Sequence, residues 1–288
     1  METDMNQKKL LGKPQFIPLV STVAGRALTA ESWSAAGVRV LSCSLESLLM
    51  KPGYDTLLKL THLKRYLAWP HQLVLNASLP KRKSETFYTV RSTYDGKVTQ
   101  LTLLQLVKLS LSLDPDILIL PKLSAYEFES IQSFLPNHKE IFLTFSDAEQ
   151  PSDYGYYYPI DEANALLDSS EFAPNRSYYL AGSFNVYDLT KLAAKGVAYL
   201  ESDKPASDAM QGKLYTEKGM LDITETVNEF NFEPVESDCF CTSCKKGFSR
   251  AYFHHLYSQT PLLCQRLLIE HNIHYSQAKV RAIHLRQV

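Results

Sequence analysis

Short apolar, β-branched or aromatic runs recur along the chain: FIPLV from Phe16, VRVLSCS from Val38, QLVLNAS from Gln72, DILILPK from Asp116, IFLTFS from Ile141, YGYYYPI from Tyr154, SYYLAGS from Ser177 and VAYLES from Val197. Each has the length of a buried strand, and amphipathic stretches separate many of them. About eight strands alternating with helices is the pattern that closes a TIM-type (β/α) barrel, so the expected fold class is α/β. Two of the helices are explicit: TLLQLVKLSLSL from Thr102 and NVYDLTKLAAKG from Asn185 space Leu, Val and Ala at helical intervals, and the second stops at Gly196, a residue suited to a helix C-cap. Between Ser146 and Tyr154 the link is too short for a crossover helix, so the barrel is expected to be shortened in the middle. The aromatic tract PSDYGYYYP reads as a packed edge strand.

From Gln211 to Asp238 the periodicity loosens into an acidic connector, and residues 201–238 hold ten Asp or Glu against three Lys. Beyond Cys244 the sign reverses: Lys245, Lys246, Arg250, Arg266, Lys279, Arg281 and Arg286 face Glu270 alone. A swing of this kind marks a solvated helix face or, less often, a contact with nucleic acid or a partner. The division expected is therefore a barrel over 1–210, with a connector and a metal-binding subdomain over 211–288 that completes it. Over all 288 residues the charge nearly cancels, 30 basic against 31 acidic, so no global field marks the chain for nucleic acid or membrane. A content of 45% hydrophobic residues suffices for one large domain with a small appendage. The longest apolar runs, such as ILIL before Pro121, are too short to cross a bilayer, and METDMNQKKL lacks the apolar centre of a signal peptide. The expected location is cytoplasmic.

In CFCTSC, three of the five cysteines, Cys239, Cys241 and Cys244, fall within six residues. In a reducing compartment such a cluster fits a metal better than a disulfide framework, and zinc is the usual occupant of a tetrahedral thiolate site. A fourth ligand must come from His254, His255, Cys264, His271 or His274. FSRAYFHHLYS and LLCQRLLIEHN predict two antiparallel helices of similar length joined at SQTP. That hairpin returns His271 to the thiols, leaves Cys264 at the far end and His254 and His255 a turn or more along the first helix, and keeps His274 as the alternative. Four protein ligands close the shell, which makes one structural zinc per chain the expected cofactor. Cys43 and Cys264 read as buried small residues.

The CxCxxC cluster with RAYFHHL and IEHN closely resembles the zinc-binding subdomain of the tRNA-guanine transglycosylase family, most of all its accessory, non-catalytic subunits. Members place the histidine one residue nearer the last cysteine than His271 is to Cys244, so KKGFSRAY resembles the family with a one-residue insertion. The likeness continues through KPQFIPLVST near Pro14, LLMKPG near Pro52 and YLAGSFNVYDLTKLAAKGVAYLES from Tyr179, and skips the stretch from about Ser146 to Asn175, where this chain is shorter. The resemblance implies a TIM-type barrel whose catalytic members exchange a guanine in a tRNA anticodon for a 7-deazaguanine, using one aspartate as nucleophile, one for the proton and one to recognise the base. The proton-handling aspartate opens a motif like TDSGGFQ; here LNASLPK puts Asn76 in its place, without the glycines. The base-reading aspartate closes a strand like DIVMAFD; here DILILPK ends in Lys122. The nucleophile lies in a motif like FDCVxPTR; here LESDKPAS gives Glu201, with Ser207 for the arginine.

These changes carry weight independently of the family. The carboxyl ends of barrel strands form the site in a (β/α) barrel, which is where Asn76, Lys122, Asn185, Glu201 and Asp203 are expected. An amide cannot exchange a proton near neutral pH, and Lys122 is suited to pairing with Glu201 or Asp203. Leu79 and Pro80 stand where a flat base would need close backbone. The expectation is thus a chain without a catalytic set, its degenerate positions being Asn76, Lys122 and Glu201 and its metal ligands Cys239, Cys241, Cys244 and His271. Its expected partner is a catalytic queuine tRNA-ribosyltransferase subunit in a heterodimer, with tRNA bound through the complex; the basic C-terminal helices and Lys81, Arg82 and Lys83 are candidates for phosphate contacts. The resemblance also implies peripheral association with the mitochondrial outer membrane. Two alternatives stand beside it: an active base-exchange enzyme using Glu201 as nucleophile with Asp203 or Asp95 as proton carrier, and a zinc-stabilised module that binds a 7-deazaguanine against Tyr154 to Tyr158.

Overall fold

The computed structural model describes residues 13–80, 86–151, 153–168, 172–173 and 176–285. Strands β1 (Gln15–Ile17), β2 (Val40–Ser44) and β3 (Gln72–Asn76) precede a hairpin of β4 (Tyr88–Arg91) and β5 (Val98–Leu101). Helix α1 (Leu103–Ser112), β6 (Ile117–Leu123), α2 (Ala125–Gln132), β7 (Glu140–Phe145) and β8 (Gly155–Tyr158) come next. They are followed by β9 (Tyr178–Gly182), α3 (Val186–Ala194), β10 (Tyr199–Ser202), α4 (Lys204–Met210) and a second hairpin of β11 (Lys213–Thr216) and β12 (Gly219–Asp222). Helices α5 (Thr242–Lys245), α6 (Arg250–Gln259) and α7 (Pro261–Leu285) end the chain.

All eight apolar runs are strands of one sheet, ordered β1, β10, β9, β8, β7, β6, β3, β2, and every pair with a defined register is parallel. With its alternating helices this is a TIM-type (β/α) barrel. The Tyr-rich tract is not an edge strand: β8 lies inside the sheet, where the Tyr156 N–H donates to Ser177 O at 2.8 Å.

Two compact units make up the chain. One contains Val40–Tyr158 and Ala173–Tyr179. Its β3 and β6 are buried on both faces, with Leu73, Val74, Leu75, Leu118, Ile119 and Leu120 fully inaccessible, as parallel strands require. Capping boxes at Thr102 with Gln105 and at Ser124 with Glu127 start α1 and α2. The link from β7 to β8 contains no helix among its described residues, and close packing takes over there: a Cβ at Gly155 would stand 2.3 Å from the Phe142 ring. Tyr156 and Tyr158 stack on Tyr178 at 5.7 and 6.4 Å, and Arg176 covers Tyr156.

The other unit contains Lys13–Arg39, Pro159–Phe172 and Leu180–Val288. Gly196, at φ +86°, ends α3 as expected. The helical hairpin departs from equal lengths: α6 has 10 residues and α7 has 25. The extension past His271 has its own packing, since Val280 is buried and the Gln277 amide donates to Phe16 O of β1 at 2.8 Å. The acidic connector is likewise structured, with Arg250 N–H donating to Glu233 O, Ala251 N–H to Asn231 O and the Arg250 guanidinium to Pro234 O. Three of the basic side chains bond within the chain, Lys279 pairing with Glu217, Arg266 donating to Ser32 Oγ and Arg281 to Gly37 O, while Lys245 and Lys246 are exposed. Lys81, Arg82, Lys83 and Arg286 lie outside the described residues. Among the described residues no helix is long and apolar enough to cross a membrane.

Candidate metal centre

The three thiols converge because the backbone turns twice within a few residues. Cys241 occupies the N-cap of α5, where its sulfur accepts the Cys244 N–H at 3.4 Å, and the single helical turn of α5 brings Cys244 back beside it. Gly247, at φ +72°, then reverses the chain toward Ser249, which caps α6. His271 arrives from α7, eleven residues into that helix, a distance that matches the 10 residues of α6.

His271 Nδ1 lies 3.6 Å from Cys239 Sγ, 3.6 Å from Cys241 Sγ and 3.3 Å from Cys244 Sγ, and all four donor atoms fall within 4.8 Å of one another. A tetrahedral zinc with sulfur at ~2.3 Å and nitrogen at ~2.0 Å sets such S to N separations at about 3.5 Å. The four donors act strongly on one another: hydrogen bonds with Cys239 and Cys241 push the Cys244 thiol far above its ordinary value. Burial opposes charge on the His271 ring, yet the sulfurs of Cys239 and Cys241 raise it to about 10. Hydrogen bonds from Cys239 and Cys244 hold the Cys241 thiol far below its ordinary value. Nε2–H donates to Tyr215 O at 2.9 Å, which leaves Nδ1 as the metal-facing nitrogen. These four side chains therefore form a structural zinc site with no position open to substrate.

The other candidate ligands go elsewhere. His254 Nδ1 meets Ile223 O at 2.9 Å, His255 is exposed, and Cys264 is buried against Phe253 O with its thiol pushed up to about 12 by burial. His274, one turn beyond His271, is outside the group of converging donors.

At the strand ends of the first unit, Asn76 Oδ1 accepts the Ser78 N–H at 3.1 Å and the Ser78 hydroxyl at 2.5 Å, while its amide donates to Tyr157 OH at 3.3 Å. Lys122 is exposed near the end of β6, level with Thr144 of β7 beyond a bulge. Asp95 sits in the turn of the β4–β5 hairpin, where the Ser92 hydroxyl and the Lys97 backbone hold its carboxyl below the usual range. In the second unit Glu201 is buried at the end of β10. Asp203 follows it, accepting the Thr22 hydroxyl at 2.6 Å, and burial raises its carboxyl to about 6 against that bond. Asn185 caps α3, accepting the N–H groups of Tyr187 and Asp188.

Comparison with known proteins agrees with this geometry. Residues 164–286, which hold all four zinc ligands, match the family model described as queuine tRNA-ribosyltransferase. Among similar curated proteins, the queuine tRNA-ribosyltransferase of Sorangium cellulosum is 23% identical over 91% of this chain and 78% of its own length. Those of Zymomonas mobilis and Thermotoga maritima are 22% and 24% identical, over 96% and 91% of this chain and 85% and 84% of their own lengths. Over residues 164–286, and at 22–24% identity along most of its length, the chain is similar to the tRNA-guanine transglycosylase family.

Within this chain, Cys239, Cys241, Cys244 and His271 meet as their spacing and the helical return predict. Tyr215 and Asn272, which surround His271, and Thr22, which holds Asp203, are absent from that reading. The available signal was the run IEHNIHYSQA, where Asn272, Ser276 and Gln277 are interleaved with Ile273 and Tyr275.

Proposed function

We propose that this chain is the non-catalytic accessory subunit of a tRNA-guanine (queuine) transglycosylase heterodimer. Its role is to hold a catalytic queuine tRNA-ribosyltransferase chain, and through it tRNA, for modification of the wobble base. The observation that carries this reading is Asn76: the side chain at the position of the family's proton-handling aspartate is an amide, engaged with Ser78 and Tyr157. The charge reversal at Lys122 supports it. So does the exposure of Val227, Phe230, Phe232 and Phe240, at 69–80%, on the segment pinned to α6 and on the thiol loop, since large exposed apolar side chains favour a protein partner.

One observation favours the active-enzyme reading. The Asp203 carboxyl, at about 6, is suited to carrying a proton near neutral pH beside a buried Glu201. Asp95, held ionised in its hairpin turn, is not. A labelled-guanine exchange assay on the cognate tRNA separates the two, run with this chain alone, a catalytic subunit alone, and both. Exchange found only in the mixture, or much enhanced there, supports the accessory role. Exchange by this chain alone, abolished by Glu201→Gln, overturns it.

A further inference from the structure

Helix α7 carries a set of buried polar side chains, His271, Asn272, Ser276 and Gln277, within the core of the second unit. Buried polar groups need partners, and those of His271 and Asn272 lead in one direction. His271 faces the thiols with Nδ1 and donates through Nε2 to Tyr215 O. The Tyr215 N–H donates to Asn272 Oδ1 at 3.0 Å, and the Asn272 amide donates to Lys213 O at 2.9 Å and Pro205 O at 3.0 Å. One asparagine thus ties α7 to β11 and to the first turn of α4. A second tie runs through the Tyr215 side chain, whose hydroxyl donates to Asp208 Oδ2 at 2.7 Å, while the other oxygen of that buried carboxylate pairs with Lys204. Helix α4 starts where β10 ends: the Ser202 hydroxyl accepts the Lys204 N–H at 3.1 Å, between Glu201 and the Asp203 that holds Thr22.

We propose that Tyr215, Asn272 and Asp208 are positioning residues that couple occupancy of the metal centre to the placement of α4 and of the β10 end bearing Glu201 and Asp203. Zinc fixes the ring of His271, and the ring fixes the Tyr215 carbonyl. The two-stranded β11–β12 hairpin is marginal by itself, so these bonds and its packing set its position. A hydrogen-bonded buried network passes such a displacement on because each member has few alternative partners. The coupling holds whether the chain is catalytic or accessory.

Hydrogen exchange on the full chain, zinc-loaded and chelator-stripped, reads the coupling together with zinc affinity by chelator competition. Stripping should speed exchange in α4 and β11 by about tenfold or more while α3 and the β4–β5 hairpin keep their protection. Tyr215→Phe keeps every backbone bond and removes only the hydroxyl that reaches Asp208. It should still bind one zinc, about tenfold more weakly, and its α4 should respond less to stripping, since linkage makes the effect reciprocal. Asn272→Ala should weaken zinc further. Equal α4 exchange in loaded and stripped protein, wild-type zinc affinity in Tyr215→Phe, or an even loss of protection that includes α3 would each overturn the proposal.

Discussion

Asp203→Asn tests the reading of the β10 end through its pH dependence. Burial raises the Asp203 carboxyl from its ordinary 3.8 to about 6, against the opposing hydrogen bond from Thr22. A carboxyl raised on folding imposes no cost below its unfolded value, a growing cost as pH climbs toward the folded value, and the full cost above it. At about 1.4 kcal/mol per pH unit, the span from 3.8 to about 6 amounts to roughly 3 kcal/mol at neutral pH. Asparagine keeps an oxygen for the Thr22 hydroxyl and removes the charge. The variant should therefore exceed the parent in stability by up to about 3 kcal/mol at pH 7.5 and by roughly half of that at pH 5. Urea unfolding of both proteins with zinc present, from pH 5 to 8, measures the difference, and the shared pH dependence of the metal site cancels. A difference that stays constant with pH, or a variant less stable at pH 7.5, refutes the argument.

Elemental analysis should find one zinc per chain and none in His271→Ala or Cys244→Ala, with a lower melting temperature in both variants, because the four donors form one closed shell. Gly155→Ala should destabilise the chain by about 1–3 kcal/mol in urea unfolding, since its Cβ would stand 2.3 Å from a Phe142 ring carbon. Asn76→Asp restores a carboxylate at the end of β3 but loses the amide donor to Tyr157. It should leave the isolated chain without guanine exchange, and measurable turnover by that variant would count against the accessory role.

Much of the architecture is legible in the sequence because a parallel barrel writes itself in short, nearly continuous apolar runs. QLVLN and DILIL, buried on both faces, are as distinct in the one-dimensional pattern as in the sheet. The zinc ligands are legible for a similar reason. Cys241 and Cys244 are one helical turn apart, and His271 lies as far into α7 as α6 is long, so local geometry decides which donors meet. The hairpins β4–β5 and β11–β12 are not legible: TVRS and KLYT are short, and their polar alternation does not separate them from loop. Nor does the sequence show that YGYYY sits inside the sheet, since that depends on Gly155 giving room to Phe142.

The sequence by itself thus determined the barrel class, the link too short for a crossover helix, and three thiol ligands with His271 favoured over His274 as the fourth, all of which rest on periodicity or on separations within a few helical turns. Only the tertiary structure decided what surrounds them. Tyr215 reaches His271 and Asn272 across more than fifty residues, Thr22 reaches Asp203 across 181, and Asn76 meets Tyr157 across 81. Burial raises the carboxyl of Asp203 against its bond from Thr22, hydrogen bonding to Tyr215 orients the His271 ring, and neither leaves a trace in local spacing.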